Sequence, residues 1–280
     1  MLSSKVQFLA LVFVGILQAT ATQAVESDEL VIGIFPRQNY TETLQMFNPL
    51  AKYLSEKLHK KVKLKTESHF ASFWENVSKR RYDIVHYNQY HYLESNKKFG
   101  YELILKNEEF NTSLISSVIM VRKDSGINSL WDLKNKKVIF GGGRKAMMSY
   151  LIPKKMLQQA GLEPPLYSVD FAPNPPNALL AVYLGRADAA GVGDVVPKIN
   201  TLAQRINVDE MKIIARSETF PHLAWAVKQG FDKQTKQQLI NLLLALNQSE
   251  EGQYILHKAK MTGFKTATHE EYSRLLQFME

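Results

Sequence analysis

A run of three glycines followed by two cations is the stretch of this chain best suited to binding chemistry. It occupies 141–145, after the apolar segment 137–140 and before a helical pattern. Glycine lets the backbone approach a bound group closely, and the first N–H groups of a helix have no partner within it. Arg144 and Lys145 add positive charge beside these N–H groups. The segment therefore predicts a site for a carboxylate, sulfate or phosphate group. The alternative is a tight turn with solvated cations.

The order of elements at this turn predicts specific contacts. We expect the ligand's anionic group to lie at the N-terminus of a helix that begins near Arg144. Backbone N–H groups of Gly142, Gly143 and the residues up to Ala146 would surround the anion. Arg144 or Lys145 would add a charge-assisted hydrogen bond. Gly142, Gly143, Arg144 and Lys145 are therefore predicted ligand-binding residues.

Further candidates for ligand contact follow other predicted strands. Tyr40 comes shortly after the first strand, and Trp74 lies in the segment after the second. Tyr87 and Asn88 close the third strand, and Asp194 follows a strand of the second half. Polar groups at the carboxyl end of a buried strand need a hydrogen-bond partner, which favours Tyr87 and Asn88. The alternative for the aromatic residues is that they pack in the core.

No pattern in the sequence is typical of a metal site or of catalysis. His86 and His91 are five positions apart, without an acidic residue at a ligand-like spacing beside them. Met147 and Met148 would suit copper together with those histidines, but nothing in the sequence brings the four together. Nucleophile-elbow, zinc-protease and paired-carboxylate motifs are also missing from the sequence. We therefore expect a binding protein without cofactor or metal, and not an enzyme.

The N-terminal residues are typical of a secretory signal peptide. Lys5 precedes the apolar run 8–17, and an Ala-x-Ala-like site among small residues follows. The run is shorter than the roughly 20 residues of a membrane span. We expect cleavage of 1–24, a mature N-terminus near Val25 (with Thr22 as the alternative) and a periplasmic protein. An uncleaved anchor is the other possibility.

Composition narrows the class of protein further. The chain of 280 residues contains no cysteine, so we expect no disulfide, no thiolate metal site and no lipoprotein anchor. Its formal charge is +8, or +7 once Lys5 leaves with the signal peptide. Basic clusters at 59–65, 79–81 and 134–137 have acidic residues nearby. We interpret them as solvated faces and expect no nucleic-acid partner.

Strand-like and helix-like segments alternate along the rest of the chain. Strand patterns at 29–35, 62–66 and 82–87 are separated by helical periods, of which 41–60 is the longest. The second half repeats this order from Ser129 onward. The alternation predicts an α/β protein with two lobes, each a mainly parallel sheet flanked by helices. Ligands bind such sheets at the carboxyl ends of their strands.

Several short segments occur in the order found in a known family. They are 48–54 (NPLAKYL), 82–87 (YDIVHY), 129–138 (SLWDLKNKKV), 149–153 (SYLIP) and 185–190 (GRADAA). With this ordered set the chain resembles periplasmic solute-binding proteins of the phosphate/phosphonate type, which serve ABC importers. The resemblance implies a two-lobe periplasmic binding protein (Venus flytrap) that captures a small ligand and delivers it to an ABC permease in the inner membrane.

The resemblance also implies where the lobes begin and end. We expect lobe 1 to comprise 25–116 plus 223–280, and lobe 2 to comprise 117–222. The strands that cross near Ser117 and Pro221 would form the hinge, since a few residues that change φ and ψ suffice for closure. We expect a monomer.

The binding loop departs from the family pattern. Members that bind phosphonate have a Ser-Thr-Ser cluster where this chain has Ala146, Met147 and Met148. A missing donor costs a buried oxyanion roughly 1–3 kcal/mol, so the three replacements question phosphonate itself. An anionic ligand, phosphate-like or carboxylate-bearing, is still expected. Asn174 stands where the family often uses a histidine and is therefore a further ligand-binding candidate.

The resemblance leaves the biological role open between two alternatives. The same fold also serves as a soluble ligand-sensing partner of a membrane histidine kinase. A single sequence does not separate the sensor from the importer component, and a periplasmic enzyme on this scaffold is the least favoured reading.

Overall fold

The structure is a computed structural model that describes residues 29–36 and 39–279. The predicted signal peptide 1–24 and its cleavage site near Val25 lie outside the described residues. Within those residues, no helix combines the length and the apolar character that crossing a membrane requires.

Strands and helices alternate along the described chain. The strands are β1 Glu29–Ile34, β2 Lys61–Lys65, β3 Ile84–Tyr87, β4 Glu102–Glu108, β5 Leu114–Arg122, β6 Lys137–Gly141, β7 Ser168–Ala172, β8 Ala189–Gly193, β9 Met211–Pro221, β10 Ala224–Val227 and β11 Gly263–Thr266. The α-helices are α1 Tyr40–Leu58, α2 Phe70–Ser78, α3 Gln89–Phe99, α4 Ile152–Gln159, α5 Pro175–Tyr183, α6 Asn200–Ala203, α7 Lys233–Ala245, α8 Glu250–Lys258 and α9 His269–Ser273.

Helix α1 shows how the local sequence produces these elements. The side chain of Asn39 accepts a hydrogen bond from the Glu42 N–H at 2.8 Å and so caps the helix N-terminus. Phe47, Leu50 and Leu54 recur at helical spacing and are buried together in one apolar cluster. This cluster also contains side chains of β1, β10, α7 and α8, so it fixes α1 against the first sheet.

The first sheet has the strand order β11-β4-β10-β3-β1-β2. Strand β1 pairs in parallel with β2 and β3. Strand β10 pairs antiparallel with β3 and β4, and β11 pairs antiparallel with β4. We call this sheet, together with the helices packed on it, lobe 1.

The second sheet has the strand order β7-β6-β8-β5-β9. Strand β6 pairs in parallel with β7 and β8, whereas β5 pairs antiparallel with β8 and β9. Buried clusters cover both of its faces, one built around α5 and the other around α4. We call this sheet and its helices lobe 2.

The prediction of a two-lobe α/β protein is confirmed, and the pairing adds one detail. Both sheets are mixed: most strands of each run in one direction, whereas β10 and β11 in the first sheet and β5 in the second run against them. The chain leaves lobe 1 after β4 and returns after β9, so the crossover segments are 109–113 and 222–223. The lobe boundaries 25–116 plus 223–280 and 117–222 remain a proposal, and the first strand of the second sheet begins three residues before position 117, at Leu114.

The helix after the glycine turn begins later than the sequence predicts. Gly142 and Gly143 adopt left-handed φ values of 84° and 85°, and Ala146 is still extended. A π-helical turn over Met147–Leu151 then leads directly into α4. The expected start near Arg144 is therefore wrong, because the left-handed turn occupies the residues before Met147.

Candidate ligand-binding site

A cavity of about 190 Å³ lies between the lobes. Lobe 1 contributes Phe35, Phe70 and Asn88, which follow or begin elements at the carboxyl ends of its strands. Lobe 2 contributes the ends of β6, β7 and β8 and the residues just after them. The space is many times larger than a single water requires and suits a small molecule. The cavity is therefore at the position where sheets of this kind bind ligands.

The start of the Met147–Leu151 turn forms a donor-rich part of the lobe 2 wall. Tyr150 and Leu151 donate their N–H groups to the Ala146 carbonyl, at 2.9 and 3.1 Å. In the part of the chain that the structure describes, the N–H groups of Met147, Met148 and Ser149 have no protein acceptor. All three residues line the cavity. The wall thus combines free donors with the positive end of a helix dipole.

A hydroxyl group is present beside these donors. The sequence comparison places Ala146, Met147 and Met148 at the hydroxyl positions of phosphonate binders, but Ser149 comes next along the chain and lines the cavity. The residue is buried, with an exposure of only 4%, so Ser149 belongs to the inner wall of the cavity and not to the outer surface. The donor loss at this loop is therefore smaller than the sequence alone indicates.

The glycines of the turn support the wall but use part of their hydrogen-bonding capacity internally. Gly142 lines the cavity, and its N–H donates to the Ala172 carbonyl at 3.0 Å. The Ala146 N–H donates to the Gly143 carbonyl at 3.1 Å. Gly143 itself does not belong to the lining formed by the described residues. The donors available at this loop thus begin at Met147, after the segment that the sequence indicates.

The two cations of the turn point away from the described cavity lining. The Arg144 guanidinium lies 5.2 Å from the centre of the Phe171 ring and donates to the Tyr150 hydroxyl at 3.3 Å. The Lys145 ammonium lies 5.8 Å from the centre of the Tyr90 ring, on lobe 1. Arg144 is thus held against its own lobe, whereas Lys145 contacts the opposite lobe.

Asn88 is a predicted residue that lines the cavity. Its Oδ1 accepts hydrogen bonds from the N–H and Nδ1 of His91, at 2.9 and 2.8 Å. An amide oxygen only accepts, so Nδ1 carries the proton, and the Asn88 Nδ2 is directed toward the Lys145 carbonyl, 3.5 Å away. Burial, and then the charge of Lys145, lower the pKa of His91 to about 3. The imidazole is therefore neutral and holds the Asn88 amide in one orientation.

Asn174 and Asp194 take different places at the lobe 2 wall. Asn174 lines the cavity and caps α5, with its Oδ1 accepting the Asn177 N–H at 3.0 Å. Asp194 is not part of the described lining, although both of its neighbours in sequence are. Its carboxylate accepts the Ser116 N–H at 3.2 Å and the Arg216 guanidinium at 2.6 Å. Asp194 thus fastens β5 and β9 next to the cavity.

The predicted aromatic residues lie away from the described cavity lining. Tyr87 is fully buried, with its hydroxyl 2.6 Å from the Ser95 Oγ, and burial holds its pKa well above the usual value. Trp74 packs edge-on against His91 at 5.1 Å. Tyr40 is 47% exposed at the first position of α1. Tyr87 and Trp74 therefore pack against other side chains of lobe 1, as the alternative to ligand contact expects.

Three further polar residues line the hinge side of the cavity. Gln89, Glu109 and His222 line it, and each is at least 97% buried. Gln89 Nε2 donates to the Pro221 carbonyl at 2.9 Å. The Glu109 carboxylate accepts the Asn107 amide at 3.0 Å and lies 3.8 Å from His222 Nε2. No local pattern brings the three together, because Gln89 begins α3 whereas Glu109 and His222 lie on two crossovers distant in sequence.

The geometry also bears on metal binding. Among the described residues, no group of three or more His, Cys, Asp and Glu side chains is arranged to hold a metal ion. His86 stacks on Trp225 at 4.5 Å inside lobe 1, whereas Met147 and Met148 line the inter-lobe cavity. The copper arrangement considered from the sequence therefore does not assemble from these residues.

Comparison with known proteins places this architecture in a class. The model of a family described as ABC transporter, phosphonate, periplasmic substrate-binding protein matches residues 32–272. The chain belongs to this family of periplasmic substrate-binding proteins of ABC transporters.

Solved structures of related proteins share the fold. A binding-protein component of an ABC phosphonate transporter from Pseudomonas aeruginosa has a TM-score of 0.77 at 17% identity, with 91% of this chain and 86% of that one covered. PhnD1 from Prochlorococcus marinus, in complex with methylphosphonate, has a TM-score of 0.76 at 20% identity, with 90% and 97% covered. A protein from Xanthomonas citri bound to ATP has a TM-score of 0.76 at 17% identity, with 90% and 96% covered.

Proposed function

We propose that this chain captures a small organic ligand with an anionic group between its lobes and delivers it to the permease of an ABC importer. The observation that carries the proposal is the cavity at the carboxyl ends of both sheets, with the N–H groups of Met147, Met148 and Ser149 in its wall. An anion accepts such donors and is stabilised by the helix dipole behind them. Membership of the family supports the transport role.

The anionic group lies at lobe 2, and the Asn88 amide approaches it from lobe 1. A phosphate-like, phosphonate-like or carboxylate group fits this donor set. The similar structures bound to methylphosphonate and to ATP support a phosphorus oxyanion. The apolar side chains of Phe35, Phe70 and Met147 line other parts of the cavity and suit an organic body attached to the anion.

In our proposal Arg144 and Lys145 do not contact the ligand and instead stabilise the structure around the site. The backbone donors and the helix dipole supply most of the attraction for the anion. Arg144 braces the lobe 2 wall through Phe171 and Tyr150, and Lys145 helps the lobes to meet. Gly142 and Asn174 shape the wall through backbone geometry and helix capping.

We propose further that the protein is exported and works as a monomer between the membranes. A signal peptide over 1–24 and a mature N-terminus near Val25, without lipid attachment, follow from the sequence patterns. Intact-mass measurement of protein from a periplasmic extract tests the cleavage. A species that starts at Met1 in the membrane fraction would contradict it.

Native purification followed by denaturation and mass spectrometry tests ligand capture. We expect a small anionic molecule to be released in stoichiometric amount and to raise the melting temperature of the ligand-free protein when added back, without turnover. A neighbouring permease and ATPase gene pair would support import, whereas a neighbouring histidine kinase gene would assign the sensing role. Release of no small molecule, and no thermal shift with any small anion, would reject the proposal.

A further inference from the structure

Two of the three basic clusters in the sequence reach the same end of lobe 1. The segment 57–61 leads into β2, and the segment 79–83 leads into β3. Strands β2 and β3 both run parallel to β1, so the residues that precede them lie at one edge of the sheet. The cavity lies beyond the opposite edge, at the carboxyl ends of these strands. The two clusters are therefore at the end of lobe 1 that faces away from the cavity.

Two further basic segments reach this end from antiparallel strands. One of them follows β10, and the other leads into β4. Val227, the last residue of β10, lies opposite Ile84 at the start of β3 and opposite Glu102 at the start of β4. All four segments thus lie at the same edge of the first sheet. We call them together the basic pole, which comprises 57–61, 79–83, 97–102 and 228–236.

Ion pairs connect the segments of the basic pole. The Lys228 ammonium lies 2.5 Å from the Asp83 carboxylate, and the Lys236 ammonium lies 2.8 Å from the Glu102 carboxylate. Three of the four segments are joined in this way, and in the sheet only β1 separates β2 from β3. The basic pole is therefore a continuous surface, although its parts are distant in sequence.

The basic pole carries an excess of positive charge. It contains eleven Lys and Arg residues against three Asp and Glu residues, so its formal charge of +8 equals that of the whole chain. Glutamates of β1, α2 and α3 pair with Lys61, Lys79 and Lys98 and offset part of this charge. Five more cations are exposed and form no ion pair within the described residues: Lys57, Arg80, Arg81, Lys97 and Lys233. A positive potential therefore extends into the solvent from this end of the protein.

The surface of the basic pole has no apolar anchor. None of the large apolar side chains in these four segments, which the structure describes completely, is exposed, and Leu58, Tyr82 and Phe231 are buried in the lobe. Specific protein interfaces are centred on desolvated aromatic or Arg anchors and are depleted in lysine. Exposed lysines without such anchors fit an extended surface of negative charge better than a shaped protein partner.

The third basic cluster, at 134–137 of lobe 2, differs because acidic residues lie against it. The Lys136 ammonium is 4.0 Å from the Asp188 carboxylate, and the Lys137 ammonium is 2.9 Å from the Asp170 carboxylate. Two of the three lysines of this cluster are thus offset locally. Lobe 2 therefore supplies exposed cations for a comparison, but its cluster does not match the basic pole.

We propose that the basic pole binds reversibly to the surface of an anionic phospholipid bilayer. Each Lys or Arg close to such a surface adds to the attraction, which decays within a Debye length. Since the cavity lies at the opposite edge of the first sheet, attachment through the pole leaves the cavity open to ligand. The protein is thereby held near a membrane-bound partner while it is free to capture ligand. This inference goes beyond ligand capture and does not depend on it.

Vesicle sedimentation tests the proposal with protein from a periplasmic extract. The probes are vesicles of phosphatidylcholine alone and vesicles that also contain phosphatidylglycerol. At about 0.1 M salt, where the Debye length is about 10 Å, we expect the anionic vesicles to bind the protein at least about tenfold more strongly. At about 1 M salt the Debye length falls to about 3 Å, and this difference should disappear.

Charge removal at the basic pole should weaken this binding. Lys57→Gln, Lys97→Gln and Lys233→Gln, combined in one variant, remove three exposed cations without breaking an ion pair between described residues. We expect this variant to bind the anionic vesicles about tenfold more weakly or less. Its melting temperature and its affinity for the co-purified ligand should be unchanged, since the substitutions lie on the surface and away from the cavity.

The matched control removes the same charge from lobe 2. Lys123→Gln, Lys134→Gln and Arg186→Gln alter three exposed positions, and together they should change vesicle binding by less than about twofold. An equal loss in both triple variants would mean that only the net charge matters and would overturn the proposal. So would equal binding of the unaltered protein to neutral and anionic vesicles.

Soluble polyanions distinguish the membrane from other partners of the basic pole. Polyglutamate and duplex DNA are added as competitors to the vesicle assay. Tighter binding of either polyanion than of the vesicles, lost in the pole variant, would assign the pole to an acidic protein segment or to nucleic acid and overturn the membrane proposal. Ligand capture is measured separately by release from the native protein, so its failure and the failure of membrane binding are distinguishable.

Discussion

On the lobe 2 side of the cavity the free hydrogen-bond donors are backbone N–H groups, those of Met147, Met148 and Ser149. On the hinge side the polar groups are side chains, among them those of Glu109 and His222. The first set depends on local geometry, because a left-handed glycine turn followed by a helix start leaves its first donors free. The second set depends on tertiary structure, because each side chain comes from a different crossover.

This difference separates two kinds of recognition. Backbone donors at a helix start bind almost any anion, since they sense charge and distance but carry no side-chain chemistry. Buried side chains with fixed protonation and fixed neighbours discriminate between ligands, because a mismatched group leaves a buried charge unpaired. We therefore expect substitutions at lobe 2 to change the affinity for all ligands and substitutions at the hinge to change their ranking.

The largest effect is expected where the lobe 2 wall is packed most closely. A Cβ atom on Gly141 would lie 2.3 Å from the Cα of Pro175, so Gly141→Ala forces β6 and the start of α5 apart. We expect a loss of about 2–3 kcal/mol in the free energy of unfolding, measured by chemical denaturation. Gly185→Asn is the control, since Gly185 has open space around it and asparagine tolerates its left-handed φ of 69°. Equal stability of the two variants would show that β6 and the start of α5 can move apart at little cost in free energy.

Removal of one backbone donor should weaken ligand binding without changing the ranking of ligands. Met147→Pro eliminates the first N–H of the helix, at a position where proline is well tolerated, and the preceding Ala146 is already extended. Met147→Ala removes the same side chain but keeps the N–H and is therefore the matched comparison. A hydrogen bond to a charged group contributes roughly 1.5–3 kcal/mol, so the proline variant should bind the co-purified ligand at least about tenfold more weakly than the alanine variant. Equal affinities of the two variants would show that the Met147 N–H does not bind the ligand.

The buried His91, which orients Asn88 in the lobe 1 wall, should make the stability of the protein depend on pH. Burial keeps this imidazole neutral, with a pKa of about 3 in the folded protein against about 6.5 in an unfolded chain. The unfolded state therefore binds more protons between these values, and stability should fall as the pH drops from about 6.5 toward 3, by up to about 1.4 kcal/mol per pH unit. His91→Gln should flatten this decline in denaturation curves, whereas His257→Gln, at an exposed position on α8, should not. An unaltered slope in His91→Gln would show that other groups cause it.

Much of the fold could be predicted because its signals are periodic and local. The helical spacing around Phe47 and Leu54 and the apolar strands β1 and β3 are visible in the sequence. The strand β11 was missed, since only Gly263 and Phe264 of its four residues are buried and no alternation is visible. The antiparallel pairing of β5 with β8 and β9 was also missed, because strand direction is decided by the route of the chain between lobes.

The candidate site was less predictable from the sequence. Asn88, Gly142 and Asn174 line the cavity, since strand ends and helix caps converge there in this fold. Arg144 and Lys145 were predicted as ligand contacts because of their charge. The direction of a side chain depends on its neighbours in space, and here these are Phe171 and Tyr90. Glu109 follows another glutamate in an otherwise plain strand, and only the crossing of two segments reveals its place.

The smallest expected effect distinguishes the two cations of the glycine turn. The Lys145 ammonium faces the Tyr90 ring across the cleft, and such a contact contributes roughly 0.5–1 kcal/mol at an exposed site. Because this energy is gained only when the lobes meet, Lys145→Ala should weaken binding of the co-purified ligand about two- to fivefold, and Tyr90→Leu should do the same. The double variant should be no weaker than either single one, since both remove one contact. Among the described residues Arg144 contacts Phe171 and Tyr150 of its own lobe, so Arg144→Ala should lower the melting temperature more than the affinity. If Arg144→Ala instead costs tenfold in calorimetric affinity while Lys145→Ala costs nothing, the guanidinium reaches the ligand, and the anion is held by a side chain as well as by the backbone.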